Sequence, residues 1–221
     1  MFRHVRCVLF DLDGTLIDSA LDLGLAADEM RVARGLPSLP AAAYRASAGS
    51  GARGMLAVAF GLSPQHDAFN ALREEFLDRY EQRITRLTRL FEDVEQLLST
   101  LNQRGVAWGV VTNKHRRFTL PLTTAMPIFG SAGAIVCGDT TPHSKPHPGP
   151  LLEAMRQLCV QSRDCLYVGD DVRDMQAGRA AGVATVAASY GYLGPDADIG
   201  RWPADAVIDR PAELLKLIDL A

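Results

Sequence analysis

Six short apolar runs, rich in Val and Ile, constrain this chain most: residues 5–10, 106–111, 134–137, 165–168, 183–187 and 206–208. Each reads as a strand. From Glu92 onward the runs alternate with helical patterns. Residues 92–104 place Val94, Leu97, Leu98 and Leu101 on one helical face, and residues 147–158 do the same with Leu151, Leu152, Met155 and Leu158. Strands alternating with helices predict an α/β fold, a Rossmann-like parallel sheet covered on both faces. Residues 116–126 also read as a helix, with a kink or a short first piece expected at Pro121, which lacks the N–H that a helix interior uses.

Residues 18–87 break the alternation and contain no convincing strand. Residues 19–33 read as a helix. Phe69, Leu72, Phe76, Tyr80 and Leu87 follow helical steps, and turns fall at Gly35-Leu36-Pro37 and Gly61-Leu62-Ser63-Pro64. An all-helical block after the first strand predicts a second, small domain. The expected division is a core of residues 1–17 and 88–221 and a helical cap of residues 18–87, hinged near Asp18 and Leu87.

A chain of 221 residues, 48% hydrophobic and 22% charged, can bury a core of this size. Its net charge of −3 gives no electrostatic footprint for nucleic acid. No apolar run approaches the roughly 20 residues that span a bilayer, so no membrane association is expected. The basic N-terminus leads at once into the first strand and does not read as a secretory leader. Cys7, Cys137, Cys159 and Cys165 form no Cys-x-x-Cys pair and are expected to be small buried hydrophobes in a reducing cytoplasm. His143 and His147 are four apart, but Pro142, Pro146 and Pro148 argue against a helix that would present both rings to a metal.

The chemistry gathers where strands end. The run ending at Phe10 is followed by Asp11-Leu12-Asp13-Gly14-Thr15. Two carboxylates this close repel unless a cation lies between them, and the C-terminal edge of an open α/β sheet is where ligands bind. A second run ends in Thr112-Asn113-Lys114, whose Thr112 hydroxyl and Asn113 N–H could donate to phosphoryl oxygens. A third segment, Ser144-Lys145-Pro146, fixes a lysine in a stiff loop. A fourth run ends in Gly169-Asp170-Asp171-Val172-Arg173-Asp174. Asp170 stands at its tip as a metal ligand. Asp174, one helical turn on, can reach metal-bound water or Lys145, and a helix N-terminus accounts for one or two of these acids by its dipole alone.

These four segments, in this order, resemble the four motifs of the haloacid dehalogenase superfamily, and the resemblance covers essentially the whole chain. It implies a helical cap inserted after the first strand. It implies a phosphatase in which Asp11 attacks phosphorus to form an aspartyl phosphate, while Asp13 protonates the leaving alkoxide and then activates water. It implies Mg²⁺ held by Asp11, the Asp13 carbonyl and Asp170, with Asp171 and Asp174 behind them. Thr112, Asn113 and Lys145 would hold the transferring group.

Asp13 argues against the dehalogenases, which need no proton donor at the leaving group. The absence of lysine from residues 18–87 argues against the phosphonate hydrolases, which need a cap lysine. A sugar phosphomutase and a catalytically silent binding protein on the same fold remain the alternatives. The glycine-rich segment of residues 47–55 reads as a cap loop, in which Gly51 allows close backbone approach and Arg53 can pair with a substrate carboxylate. This loop and the general layout are similar to bacterial phosphoglycolate phosphatases. The segments at residues 51–55, 108–114 and 190–192 are similar to N-acetylmuramic acid 6-phosphate phosphatases. His115 departs from the phosphoglycolate pattern, which often has Pro after Asn-Lys. The run Lys114-His115-Arg116-Arg117 could draw anionic substrates toward the site, and reads more readily as a solvated helix start. The expected partner is a small phosphorylated metabolite carrying a carboxylate, and the expected assembly a monomer or homodimer.

Overall fold

The computed structural model describes residues 1–194 and 197–219. Strand β1 (Cys7–Phe10) leads through β2 (Ile17–Asp18) into four helices, α1 (Ala20–Val32), α2 (Ala41–Arg45), α3 (Gly51–Phe60) and α4 (Phe69–Glu81). The chain returns through β3 (Arg89–Leu90) and then alternates: α5 (Val94–Gln103), β4 (Ala107–Val111), α6 (Arg116–Ala125), β5 (Ala134–Val136), α7 (Gly149–Leu158), β6 (Cys165–Gly169), α8 (Val172–Ala180) and β7 (Ala184–Ala188). It closes with β8 (Ala206–Ile208) and a last short helix, α9 (Leu214–Leu217).

Six strands form one sheet in the order β5-β4-β1-β6-β7-β8, with every pairing parallel. Side chains alternate across it. Val8 and Phe10 of β1 join one core cluster, and Cys7 and Leu9 join the cluster on the other face. Helix α5 buries Val94, Leu97, Leu98 and Leu101, as their spacing predicts. Each such side chain contributes roughly 1.5–3 kcal/mol when fully buried. The order of connection reverses about β1, which lies between β4 and β6. That makes its C-terminal end the switch point where α/β sheets place ligands.

The helical insertion lies between β2 and β3. Helix α1 packs against α2, α3 and α4. Two buried aspartates tie it together. Asp28 accepts hydrogen bonds from Ser38 Oγ at 2.6 Å, Leu39 N at 2.9 Å and Tyr44 Oη at 3.0 Å. Asp22, wholly buried, accepts from Leu87 N at 2.9 Å and from Thr88 N and Oγ1 at 2.8 Å, pinning the returning chain to α1.

Several expectations need correction. Residues 18–87 were expected to hold no strand, yet Asp18 lies in β2, which pairs antiparallel with β3 so that Ile17 faces Leu90 and Asp18 faces Arg89. The two connections are thus bound to each other. The helix drawn through Leu87 stops at Glu81, because the Leu87 N–H is committed to Asp22. The glycine-rich segment is not a loop. It holds a short 3₁₀ turn, Ala48–Ser50, and the first half of α3. There Gly54 is required by packing: a Cβ would stand 2.2 Å from the Ser47 carbonyl oxygen. Helix α6 runs unbroken through Pro121 and ends ahead of Pro127, with Met126 extended as a residue before proline tends to be. In α7 the inward positions are Leu151, Ala154 and Met155, while Leu152 is 49% exposed. Cys7, Cys137 and Cys165 are buried, but Cys159 is exposed at the end of α7.

Candidate active site

Asp11, Thr112 and Asp170 stand at the ends of three adjacent strands, β1, β4 and β6. The Asp11 N–H donates to the Val168 carbonyl at 2.8 Å, which extends the β1–β6 ladder one residue into the site. Lys145 arrives on the loop after β5. Asn113 clasps that loop by its side chain, accepting from Lys145 N at 2.9 Å and donating to the Lys145 carbonyl at 3.0 Å. The Lys145 side chain is only 2% exposed, with Nζ at 2.9 Å from Asp11 Oδ1 and 2.7 Å from Asp174 Oδ1. The Val111 carbonyl and Tyr167 Oη lie at 3.0 and 2.9 Å from the same ammonium. Burial opposes its charge, but the two carboxylates outweigh burial and hold its proton affinity above that of an ordinary lysine.

Asp170 is oriented by Tyr192 N at 2.7 Å and Thr15 Oγ1 at 3.0 Å. Gly14, with φ of +86°, leaves room for it: a Cβ there would stand 2.0 Å from Asp170 Oδ2. Burial, and then the charges of Asp11 and Asp174, push the Asp170 pKa well above the usual carboxylate range. Burial likewise raises Asp11 to about 6 against the pull of Lys145, with Asp174 adding to the rise.

One oxygen from each of Asp11, Asp170 and Asp174 lies within 4.8 Å of the others. Asp174 is already engaged. Its Oδ1 meets Lys145 and Tyr167 Oη, and its Oδ2 accepts from Asp171 N at 3.1 Å as part of the capping box of α8. Asp11 Oδ1 is buried and faces only the Lys145 ammonium, without a well-aligned hydrogen bond. An all-oxygen donor set in which three carboxylates share one lysine fits a hard divalent cation. The Asp13 carboxylate is not part of this cluster. It accepts from Lys114 Nζ at 3.0 and 3.1 Å and from Ser19 Oγ.

Asp11, Asp13, Thr112, Asn113, Lys145, Asp170, Asp171, Asp174 and Gly51 all line one cavity of about 250 Å³. Thr112 Oγ1 accepts from Lys114 N at 3.1 Å, which leaves its own hydroxyl hydrogen for a ligand. Arg53 is not among these residues. It lies in the first turn of α3, exposed, and lines an adjoining cavity of about 550 Å³ that shares Gly51, Asn113 and Lys114 with the first.

The haloacid dehalogenase-like hydrolase family model matches residues 8–188. The chain belongs to that family. An N-acetylmuramic acid 6-phosphate phosphatase of Pseudomonas putida is 42% identical over 99% of this chain and 98% of its own. A phosphoglycolate phosphatase of Xanthomonas campestris is 42% identical over 96% of each chain. The crystal structure of a predicted phosphoglycolate phosphatase from Haemophilus somnus superposes with a TM-score of 0.84 at 28% identity, covering 97% of this chain and 98% of that one. A family phosphatase with the strand-tip acids and buried lysine of its kind is therefore an enzyme and not a silent scaffold.

Sequence reasoning missed three parts of the site. Lys114 is buried against Asp13 and is not a solvated helix start. Arg173 joins the two cavity walls, bonding Asp171 at 2.7 and 2.8 Å and the Gly49 carbonyl at 3.0 Å. Tyr192 Oη, which donates to Asp18 at 2.7 Å, receives the N–H groups of Ser19 and Ala20 at 2.7 and 3.1 Å. The sequence signals for these were slight: Lys114 and Arg173 lie within the motifs, and Tyr192 belongs to the segment 190–192 that resembles the N-acetylmuramic acid 6-phosphate phosphatases.

Proposed function

We propose that the chain is a Mg²⁺-dependent, cytoplasmic phosphomonoesterase whose substrate is a sugar-sized phosphate ester carrying a carboxylate, of the N-acetylmuramic acid 6-phosphate kind. The observation that carries the substrate reading is the cavity of about 550 Å³ opening beside the acid cluster. Its lining includes Phe76, Tyr80 and Phe118. Of its three arginines, Arg73 pairs with Glu74 and Arg117 with Asp78 and Glu81, which leaves Arg53 as the cation for a ligand. Glycolate would occupy a small part of it. An amphipathic sugar acid would match both its apolar lining and the guanidinium of Arg53. Arg53 is the group for the carboxylate. The strong likeness to the Pseudomonas protein agrees with this reading.

In the proposed reaction Asp11 Oδ attacks phosphorus as the bond to the leaving alcohol breaks. Asp13 gives its proton to the departing oxygen and then takes one from the water that releases phosphate. Thr112, the Asn113 N–H and Lys145 hold the charge of the transferring group. The residues that would hold Mg²⁺ are Asp11, Asp170 and the Asp13 carbonyl, with Asp174 and Asp171 orienting them from behind. When bound, the cation supplies positive charge to the phosphoryl oxygens and relieves the repulsion between the acids. The working division takes residues 18–87 as the cap and residues 1–17 and 88–221 as the core. The β2–β3 pairing at the two junctions supports it. The working assembly is a monomer or homodimer.

The test compares kcat/KM for N-acetylmuramic acid 6-phosphate and phosphoglycolate, with glucose 1-phosphate as control. The muramate ester should lead by on the order of 10-fold or more, releasing free phosphate. A preference for phosphoglycolate contradicts the substrate assignment, and an isomerised hexose phosphate in place of free phosphate contradicts hydrolysis.

A further inference from the structure

The Tyr80 hydroxyl is buried with no hydrogen-bond partner among the described residues. A buried tyrosine usually finds one, and a buried donor left unused is costly. Tyr80 lies near the end of α4 and is 2% exposed. Its ring packs on Phe76, stacked at 6.2 Å, and on Phe118 of α6, tilted at 5.6 Å. The Lys114 ammonium lies 4.7 Å from the ring centroid.

None of these neighbours can use the hydrogen of the phenol. The two phenylalanines have no polar atom in their side chains, and an ammonium only donates. The acids whose charge bears on the phenol are engaged elsewhere. Asp13 accepts from Lys114 and Ser19, and Asp22 accepts from Leu87, Thr88 and Arg83. Nor is the hydrogen lost to ionisation, because burial pushes the phenol up to about 12 against the pull of Lys114.

The place of Tyr80 in the cavities points to the missing acceptor. Its side chain lines the larger cavity, beside Phe76 and Phe118. Gly51, Asn113 and Lys114 line both this cavity and the acid-lined one, so they mark where the two meet, and Tyr80 packs on one of them. A lone donor in an aromatic stretch of wall discriminates strongly. A ligand that brings an oxygen pairs it, and a ligand without one leaves it unpaired.

We propose that Tyr80 is a substrate-binding residue whose hydroxyl donates to a hydroxyl or carbonyl oxygen of the leaving alcohol, so that the enzyme favours phosphate esters of oxygen-bearing, sugar-like alcohols over esters of plain alkyl alcohols. The hydroxyl is covered in the free protein, and the leaving group meets it as the wall between Tyr80 and the long Lys114 side chain yields. This inference rests on the reading of the larger cavity as the seat of the leaving group.

The test uses the full chain with Mg²⁺ and two esters of primary alcohols, N-acetylmuramic acid 6-phosphate and n-hexyl phosphate, the second offering no oxygen beyond its ester group. The readout is the ratio of their kcat/KM values, from which the folded fraction of any preparation cancels. Tyr80→Phe keeps the ring and removes the donor, and the contribution of Arg53 is common to variant and native chain. In Tyr80→Phe the ratio should fall on the order of 10-fold toward the hexyl ester. Its melting temperature without substrate should hold or rise, because the hydroxyl bonds to nothing there. An unchanged ratio in Tyr80→Phe, beside a native chain that prefers the muramate ester, overturns the role of Tyr80 alone. A native chain without that preference overturns the reading of the larger cavity and the role of Tyr80 with it. A lowered melting temperature shows a hydroxyl already bonded in the free protein and also overturns the assignment.

Discussion

Lys145 Nζ stands 2.9 Å from Asp11 Oδ1 in a pocket where the lysine side chain is only 2% exposed. A charge so buried is tolerated because Asp174 faces it from the other side at 2.7 Å. Removing the ammonium leaves two desolvated carboxylates facing each other.

Lys145→Met should therefore fail twice. Turnover should fall on the order of 10²-fold or more, since a preorganised charge is lost from the transferring group. The denaturation midpoint measured without metal should also drop, because breaking a buried pair costs about 3–5 kcal/mol. Steady-state kinetics and a urea titration check the two separately.

Cation removal has its own expected signature. Burial and then neighbouring acids push both carboxylates upward, Asp174 acting on Asp11, and Asp11 and Asp174 acting on Asp170, so a divalent cation should stabilise the fold as well as the reaction. Thermal melts should rise on adding Mg²⁺ to protein stripped with EDTA. The rise should vanish in Asp170→Asn.

Gly14→Ala probes the same site through sterics. A Cβ 2.0 Å from Asp170 Oδ2, at a φ of +86°, forces the metal-side carboxylate away. Loss of 10–100-fold in apparent metal affinity is the expected scale, roughly that of disturbing a group that orients a ligand. A magnesium titration of activity measures it.

Acid should weaken the helical insertion through Asp28. Burial opposes its charge, but the Leu39 N–H and the Ser38 and Tyr44 hydroxyls outweigh burial and hold its pKa below 3.8. A carboxylate whose folded pKa is depressed contributes stability above its unfolded value, and that contribution disappears as pH falls through the folded one. The gap in melting temperature between the native chain and Asp28→Asn should be full near about pH 6 and close toward about pH 3. A gap independent of pH would show that the charge of Asp28 does not matter.

The strand-tip residues were legible because each follows an apolar run whose identity as a strand is local information. Asp11, Thr112 and Asp170 needed only that run and the rule that α/β sheets bind ligands at their C-terminal edge. Lys114 was not legible. Its neighbours in sequence are charged, and its burial depends on Tyr80, which the chain brings back from a different element. Residues 47–55 misled for a related reason: three glycines suggest a loop, whereas Gly54 is small because the Ser47 carbonyl packs against it. The end of α4 was misplaced because a buried Asp22, far along the chain, captures the backbone at Leu87 and Thr88.

The most direct measurement of the central claim is a rapid acid quench of the native enzyme turning over a phosphate-labelled ester with Mg²⁺, followed by peptide mapping. The account predicts covalent phosphate on Asp11 and none in Asp11→Asn, a variant that should keep its fold and lose essentially all turnover. Phosphate mapped to another side chain, or normal turnover by Asp11→Asn, would contradict it.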